Sequence, residues 1–482
     1  MSLCSFCSNI SPSTLLAERP VQNRAGTQTD VYGYLHRDYK DLPESAERCP
    51  MCALLLQELR GKFKRGKGYE AHRILLTGVP TPDSQRRGHR LAVIIALVKQ
   101  STMRAYFCVY AMPRSRAALS GDVCGRQLAS DAGSEESFDL LQSWIVECRT
   151  GHPECAPTTN LTQQKHRQFP SRLLDVKNVS SEHPDSCALV DGDDAQQEYL
   201  TLSYCWGENQ PLVTLRQNLA AHKRAILVEE MPLTLQHAVL TTRRLGFRFL
   251  WIDALCIVQD DPAEWEKEAI EMGNIYRDSF LTLAAAGSES SSGGLFIERK
   301  DVSRPIIPFP YAHETTVQQD SHPVQQDALN SFFVTPSRCD AFTCIHSATW
   351  ASRGWVLQEC NLSRRILYFG AGQTFFECRR HARAEDGRDF GIYQPKRYGA
   401  GLPQGDAWSW CSLVADYSRR GLTKERDKLF AVEGLARDMA ARTGKRYCAG
   451  VWRESVHLHV LWCGADGPLR RPRRKRAPSW SW

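Results

Sequence analysis

The chain contains no uninterrupted apolar run of about 18 residues, so no segment is expected to span a membrane. Its first residues, Met1-Ser2-Leu3-Cys4-Ser5-Phe6-Cys7, lack a basic stretch followed by an apolar one, so no secretory signal is expected either. Without export, the 18 Cys belong to a reducing compartment and are expected as thiols or metal ligands, not as a disulfide framework. The expected location is the cytoplasm, with the nucleus as the alternative. No Gly-x-Ser-x-Gly elbow occurs, which removes the usual serine-hydrolase nucleophile. No Gly-x-Gly-x-x-Gly follows a predicted strand, which removes a Rossmann-type dinucleotide site. Gly61-Lys62-Phe63-Lys64-Arg65-Gly66-Lys67 approaches a phosphate loop, but Gly68 stands where Ser or Thr should hold magnesium, and the segment follows a helical pattern. That reading is rejected.

Excess charge is also scarce. The net charge is +7, and Arg470, Arg471, Arg473, Arg474, Lys475 and Arg476 supply most of it. The remainder is close to neutral, so a broad nucleic-acid face is not implied. The basic run reads as a solvated loop, with a nuclear localisation signal or a phosphate patch as alternatives.

Apolar material is plentiful: 42% of the 482 residues are hydrophobic, 9% aromatic and 12 are Trp. This supports a sizeable core, in roughly two to four units or one large fold. No internal repeat is present. Polar stretches at 133–137, 182–197, 289–294 and 311–326 suggest boundaries. We divide the chain into a Cys-rich N-terminal region (1–180), a central domain (196–385) and a mixed C-terminal region (386–482).

The central domain has the most regular pattern. Tyr199–Cys205 alternates with period two, as a strand does, and Asn209-Gln210-Pro211 marks a loop after it. A helix is predicted from about Leu233 to Leu245, with Gly246 as its stop. Phe249-Leu250-Trp251-Ile252-Asp253 and 280–286 are short and apolar, as strands buried on both faces are. Between them, Asp261 is an N-cap candidate with Pro262 at the first helical position and Glu264 three residues on. Strand alternating with helix argues for a parallel α/β sheet, where function gathers beyond the strand C-termini. A short helix is predicted around Trp355–Glu359, then a hairpin over 365–378.

Cys4-x-x-Cys7 and Cys49-x-x-Cys52 can supply four thiolates to a tetrahedral zinc. Their 41-residue gap exceeds the common ribbon spacing, so packed thiol pairs beside a helix starting near Met51 stay open as the alternative. Cys148-x3-His152-x2-Cys155 offers three further ligands with no obvious fourth nearby, and buried thiols explain it equally. Cys205 and Cys256 lie in or beside apolar strands and read as inert thiols, not nucleophiles. Glu359 falls four residues after Trp355, on one helical face, with Arg353 close by. A carboxylate beside an aromatic wall can stabilise an oxocarbenium-like centre. Trp265 and Glu268 form a similar pair. Each pair is also an ordinary structural contact. Asp253, at a strand end, is the better candidate by position.

Three blocks carry a resemblance: Leu202-Ser203-Tyr204-Cys205-Trp206-Gly207; Leu250-Trp251-Ile252-Asp253-Ala254-Leu255-Cys256-Ile257-Val258-Gln259-Asp260-Asp261; and Arg353-Gly354-Trp355-Val356-Leu357-Gln358-Glu359. They resemble the fungal heterokaryon incompatibility (HET) domain. Trp265, Glu268, Met272 and Ile275-Tyr276 fit the helix between the last two blocks. Cys148/His152/Cys155, Arg172-Leu173-Leu174-Asp175-Val176 and Pro478-Ser479-Trp480-Ser481-Trp482 also recur in such proteins. The resemblance implies a TIR-like, flavodoxin-like parallel α/β core, and a protein of non-self recognition and regulated cell death. By that likeness Glu359 corresponds to the glutamate that serves NAD⁺ cleavage. Ser203, Trp206, Gly207, Asp253, Arg353 and Trp355 would bind substrate. Similar proteins usually continue past the position of Trp482, so a C-terminal segment is expected to be missing. No oligomerisation module or repeat array is attached, so triggering is expected from self-association or from a separate incompatibility partner. Two other functions stand beside NAD⁺ cleavage: a non-catalytic self-associating scaffold, and an accessory protein of secondary metabolism.

Overall fold

The computed structural model describes residues 2–22, 28–60, 73–82, 89–98, 104–156, 169–177, 185–195, 197–208, 212–299, 305–311, 326–337, 341–388, 407–461, 477–478 and 480–482. The basic run at 470–476, the rejected phosphate loop at 61–67, the Asn209-Gln210-Pro211 loop and most of 311–326 lie outside them. The chain forms two compact units: 1–130 with 299–340 and 383–389, and 131–298 with 341–382 and 390–482.

The second unit contains all three HET-like blocks. In chain order its elements are α1 (Glu135–Gly151), β1 (Arg172–Asp175), β2 (Ser186–Asp191), β3 (Tyr199–Ser203), β4 (Ile226–Leu227), α2 (Leu233–Arg244), β5 (Phe249–Trp251), α3 (Asp253–Cys256), α4 (Pro262–Asp278), β6 (Leu281–Ala284), α5 (Gly354–Leu362), β7 (Arg365–Phe369), β8 (Thr374–Cys378), α6 (Ala407–Tyr417) and α7 (Phe430–Thr443). Its sheet runs β4-β2-β1-β5-β3-β6-β7-β8.

The four central strands, β5-β3-β6-β7, pair in parallel. Both flanks are antiparallel: β1 on β5, β2 on β1, β4 on β2, and β8 on β7. The sheet is therefore mixed, not parallel throughout. The physical reason is connection length. β7 returns as β8 through Gly370-Ala371-Gly372-Gln373, and four residues reverse a strand but cannot cross over. Every residue of β3, β5, β6 and β7 is buried, which is why 249–253 and 280–286 read as apolar runs; β3, which alternates in sequence, is buried on both faces too, with the Thr201 and Ser203 hydroxyls hydrogen-bonded inside.

Local signals set the helices. Asp261 caps α4 by accepting from the backbone N–H groups of Ala263 and Glu264, with Pro262 first in the helix. β5 ends two residues before Asp253 because Asp253 opens α3. Residues 425–431 divide into a 3₁₀ turn (Glu425–Lys428) and the start of α7. Helices α4, α5 and α7 pack closely. The amide N–H of Gly434 donates to Gln358 Oε1 at 2.7 Å, and a Cβ on Gly434 would lie 2.7 Å from Gly273 Cα. Trp265 and Glu268 of α4 make structural contacts: Trp265 stacks edge-on to Phe430 beneath Arg426, and Glu268 accepts from Ser171 Oγ.

The first unit is built on an antiparallel sheet in the order Ile307–Pro310, Ser331–Pro336, Arg104–Tyr110, His89–Val98, Arg73–Pro82, Tyr34–Asp38. Its core gathers the aliphatic side chains of Ile74, Leu76, Leu91 and Ile94 with the rings of Phe107, Phe309 and Phe332. Helix Pro50–Arg60 joins that core through Met51, Cys52, Leu54, Leu55 and Leu59.

Candidate functional site

The C-terminal ends of the parallel strands gather the candidate residues. Ser203 closes β3 and is 1% exposed; its hydroxyl donates to Glu359 Oε2, which α5 brings over the sheet. The indole N–H of Trp350 donates to Ser203 Oγ at 2.8 Å. A relay Trp350→Ser203→Glu359 results, with Glu359 itself 5% exposed. Beneath it, hydroxyls of Thr201, Thr282 and Ser363 follow one another at 2.7 and 2.6 Å, and Ser363 Oγ donates to the Glu359 carbonyl.

Arg353, at the N-cap of α5, donates to the carbonyl of Tyr204. Asp253 accepts from the Trp206 indole N–H at 2.9 Å and from the Ala254 amide at 2.7 Å. Gly207 follows at φ +82°, and a Cβ there would lie 2.8 Å from Ser290 Cβ, so only glycine fits this turn. Ser203, Trp206, Gly207, Asp253, Arg353 and Glu359 thus share one end of one sheet. Trp355 engages a different polar neighbour: its side chain hydrogen-bonds Asp427 and packs between the core of the sheet and the cluster that contains Trp410, Leu413 and Tyr417. The indole beside Glu359 is Trp350, in the 3₁₀ turn Thr349–Ser352.

Burial pushes the Glu359 carboxyl up to about 7, against the pull of Arg353 and the Ser203 hydrogen bond. Burial likewise raises Asp253, opposed by Arg353 and the Trp206 bond. Arg353 stays charged despite its own burial, because Glu359 and Asp253 face it. Burial raises Cys205, and raises Cys256 to about 12, so neither thiol is an activated nucleophile. An open cleft of about 770 Å³ lies at the opposite, N-terminal ends of β3 and β5, lined by Arg149, Lys177, Glu198 and Arg248.

Two cysteine clusters form. In the first unit, the sulfurs of Cys4, Cys7, Cys49 and Cys52 lie within 4.8 Å of one another. Cys52 Sγ is 3.7 Å from both Cys4 and Cys7 Sγ, matching the about 3.8 Å edge of a tetrahedral thiolate zinc site. His36 Nε2 lies 3.1 Å from Cys7 Sγ, and Arg37 donates to Cys4 Sγ at 3.3 Å. Hydrogen bonds from Cys7, His36 and Ser45 pull the Cys52 thiol down to about 3. In the second unit, Cys148, His152 and Cys155 meet Cys378 of β8. Sequence spacing alone misses Cys378, Trp350 and His36, because each reaches its site across the fold. Both groups are all-thiol or thiol-imidazole donor sets, the chemistry of a metal such as zinc. Cys344 departs from the free-thiol expectation, being disulfide-bonded.

Among the described residues, no helix is long and apolar enough to cross a membrane. Residues 199–359 match the family described as heterokaryon incompatibility protein (HET). The matched stretch opens on the first residue of β3 and closes on Glu359. The chain carries a HET domain over residues 199–359. No curated protein and no solved structure matches it.

Proposed function

We propose that the protein acts in non-self recognition and regulated cell death by cleaving NAD⁺ at Glu359, once self-association or a separate partner opens the site. The observation that carries this reading is a buried Glu359 carboxyl, hydrogen-bonded by Ser203 and facing the Arg353 guanidinium, beyond the C-terminal ends of parallel strands; its burial pushes it up to about 7. The spatial order β5-β3-β6-β7 is 2-1-3-4 in chain order, which supports a flavodoxin-like, TIR-like core. In the reaction, the bond between ribose C1′ and the nicotinamide nitrogen breaks, and its electron pair leaves with neutral nicotinamide. The ionised Glu359 steadies the oxocarbenium-like centre and takes one proton from the water that adds at C1′. Ser203 and Gly207 line the approach, Arg353 and Asp253 hold polar groups of the substrate, and Trp206 and Trp350 wall it in place of the expected Trp355. The burial of Glu359 favours a second reading, a self-associating scaffold in which the network is structural.

The test is nicotinamide release from NAD⁺ by the full chain, alone and under forced oligomerisation, for wild type and Glu359→Gln. Release by wild type only is the expected result. Release by both proteins removes Glu359 from the chemistry. Release by neither, even when clustered, leaves the scaffold. A structural zinc on Cys4, Cys7, Cys49 and Cys52 belongs to the same proposal. It would tie the N-terminal loop to helix Pro50–Arg60, with Arg37 offsetting the thiolate charge.

A further inference from the structure

We propose that Cys148, His152, Cys155 and Cys378 form a separate structural zinc site in the second unit. It stands independently of the NAD⁺ reading and of the Cys4 cluster. Three of the four residues come from one short stretch. Cys148 ends the buried face of α1, His152 is that helix's C-cap, and Cys155 closes the 3₁₀ turn Pro153–Cys155. The fourth, Cys378, is the last residue of β8, 223 positions beyond Cys155. All four are buried, and their ligand atoms lie within 4.8 Å of one another. Cys378 Sγ is 3.5 Å from His152 Nδ1, close to the about 3.6 Å edge expected between sulfur and nitrogen on a tetrahedral zinc.

Two further observations point to an anionic centre. The backbone N–H groups of Arg380 and His381 both turn back onto Cys378 Sγ, at 3.4 and 3.3 Å. Such donors aim at a thiolate and orient it as a ligand. Arg365, 3% exposed, donates through Nε to Cys148 Sγ at 3.1 Å, and through its other nitrogens to the carbonyls of Phe280 and Cys155. Among the described residues, no carboxylate is among its ion-pair partners. A zinc held by three thiolates and one imidazole carries one net negative charge, which the single positive charge of Arg365 balances. Three neutral thiols would leave that buried cation with the carbonyl dipoles and the face of the Phe280 ring, and no full negative charge. The site fastens the C-terminal end of α1 to the end of β8, where the two elements share no covalent neighbour.

Zinc content of the full chain, purified under reduction, tests this with Cys378→Ser and Cys155→Ser. Each variant is expected to hold one zinc fewer per chain than wild type, while Cys52→Ser leaves this ion in place. Zinc-edge X-ray absorption of the wild type serves if a variant does not fold, because it reads the ligands directly. One zinc with three sulfurs and one nitrogen, or two zincs with a mixed sulfur and nitrogen shell, supports the site. A single zinc with four sulfurs, no zinc at all, or a disulfide mapped between any two of Cys148, Cys155 and Cys378 overturns it.

Discussion

Replacing Glu359 with Gln removes the titrating proton and keeps the shape, so it isolates the energetic consequence of burying this carboxyl. The amide oxygen can still accept from Ser203 Oγ, and the Trp350→Ser203 bond is untouched. In the folded chain Glu359 binds its proton up to about pH 7, whereas its ordinary value is 4.5. The folded state therefore holds more protons than the unfolded state between those values, and stability falls as pH rises through that window. Below pH 4.5 the acid is neutral in both states and contributes fully. Above pH 7 ionising it inside the fold costs about 3 kcal/mol, on the order of a hundredfold in the unfolding equilibrium. Glu359→Gln stays neutral throughout and escapes this penalty. Chemical denaturation of both proteins from about pH 4.5 to 8 is the assay. The two stabilities should nearly coincide at the acid end, and the variant should gain up to about 3 kcal/mol on wild type at about pH 8. Asp253, also raised by burial, titrates in both proteins and largely cancels in the difference. Parallel curves would refute the reasoning, because they would mean the carboxyl ionises as easily inside the fold as outside. A variant that loses ground with rising pH would refute it more strongly, since the Glu359–Arg353 attraction would then outweigh burial.

Two other outcomes follow from packing and from the thiol clusters. Gly434→Ala forces a Cβ to 2.7 Å from both Gln358 Oε1 and Gly273 Cα, so α4 and α7 must separate. Denaturation should show a loss of about 2 kcal/mol, and an unchanged midpoint would mean the helices are not in close contact. Cys52→Ser removes the sulfur nearest to both Cys4 and Cys7; elemental analysis should find one zinc fewer per chain, and equal zinc would end the Cys4 site.

Periodicity and punctuation make much of the second unit legible. Asp261-Pro262 announces α4 because capping chemistry is local, the alternation at 199–203 announces a strand, and the apolar runs at 249–251 and 281–284 announce strands covered on both faces. The antiparallel flanks are less legible, because pairing depends on which strand edge is vacant and on connection length. The same limit hides the ligands that come from afar. Cys378 sits alone in sequence, and only the β7–β8 hairpin brings it to Cys148 and Cys155. Helical spacing points from Trp355 to Glu359 and so passes over Trp350. α5 is buried on nearly every side, however, so spacing along it does not single out a neighbour. Trp355 turns to Asp427, and the indole at Ser203 arrives from the preceding 3₁₀ turn.

That placement constrains how any chemistry at Glu359 can be reached. Trp350, Ser203 and Glu359 are each no more than 5% exposed, so a substrate reaches the carboxyl only if its cover moves, and the turn carrying Trp350, bonded to Ser203, is part of that cover. The turn is held at its far end, where Gly421 N donates to Ser352 O and Gly354 N donates to Gly421 O, both at 2.7 Å. Arg353 lies between these two bonds, and its side chain binds the Tyr204 carbonyl in the loop after β3. Moving Trp350 therefore also loads the contact that keeps Arg353 beside Glu359. Trp350 and Arg353 are coupled through a short backbone segment, and an assembly that pulls on the 349–354 segment would expose the carboxyl and reposition its countercharge together. A catalytic HET domain built this way is silent as a closed monomer, and a scaffold built this way needs no opening at all. The two readings thus separate on whether Glu359 becomes accessible when the protein clusters.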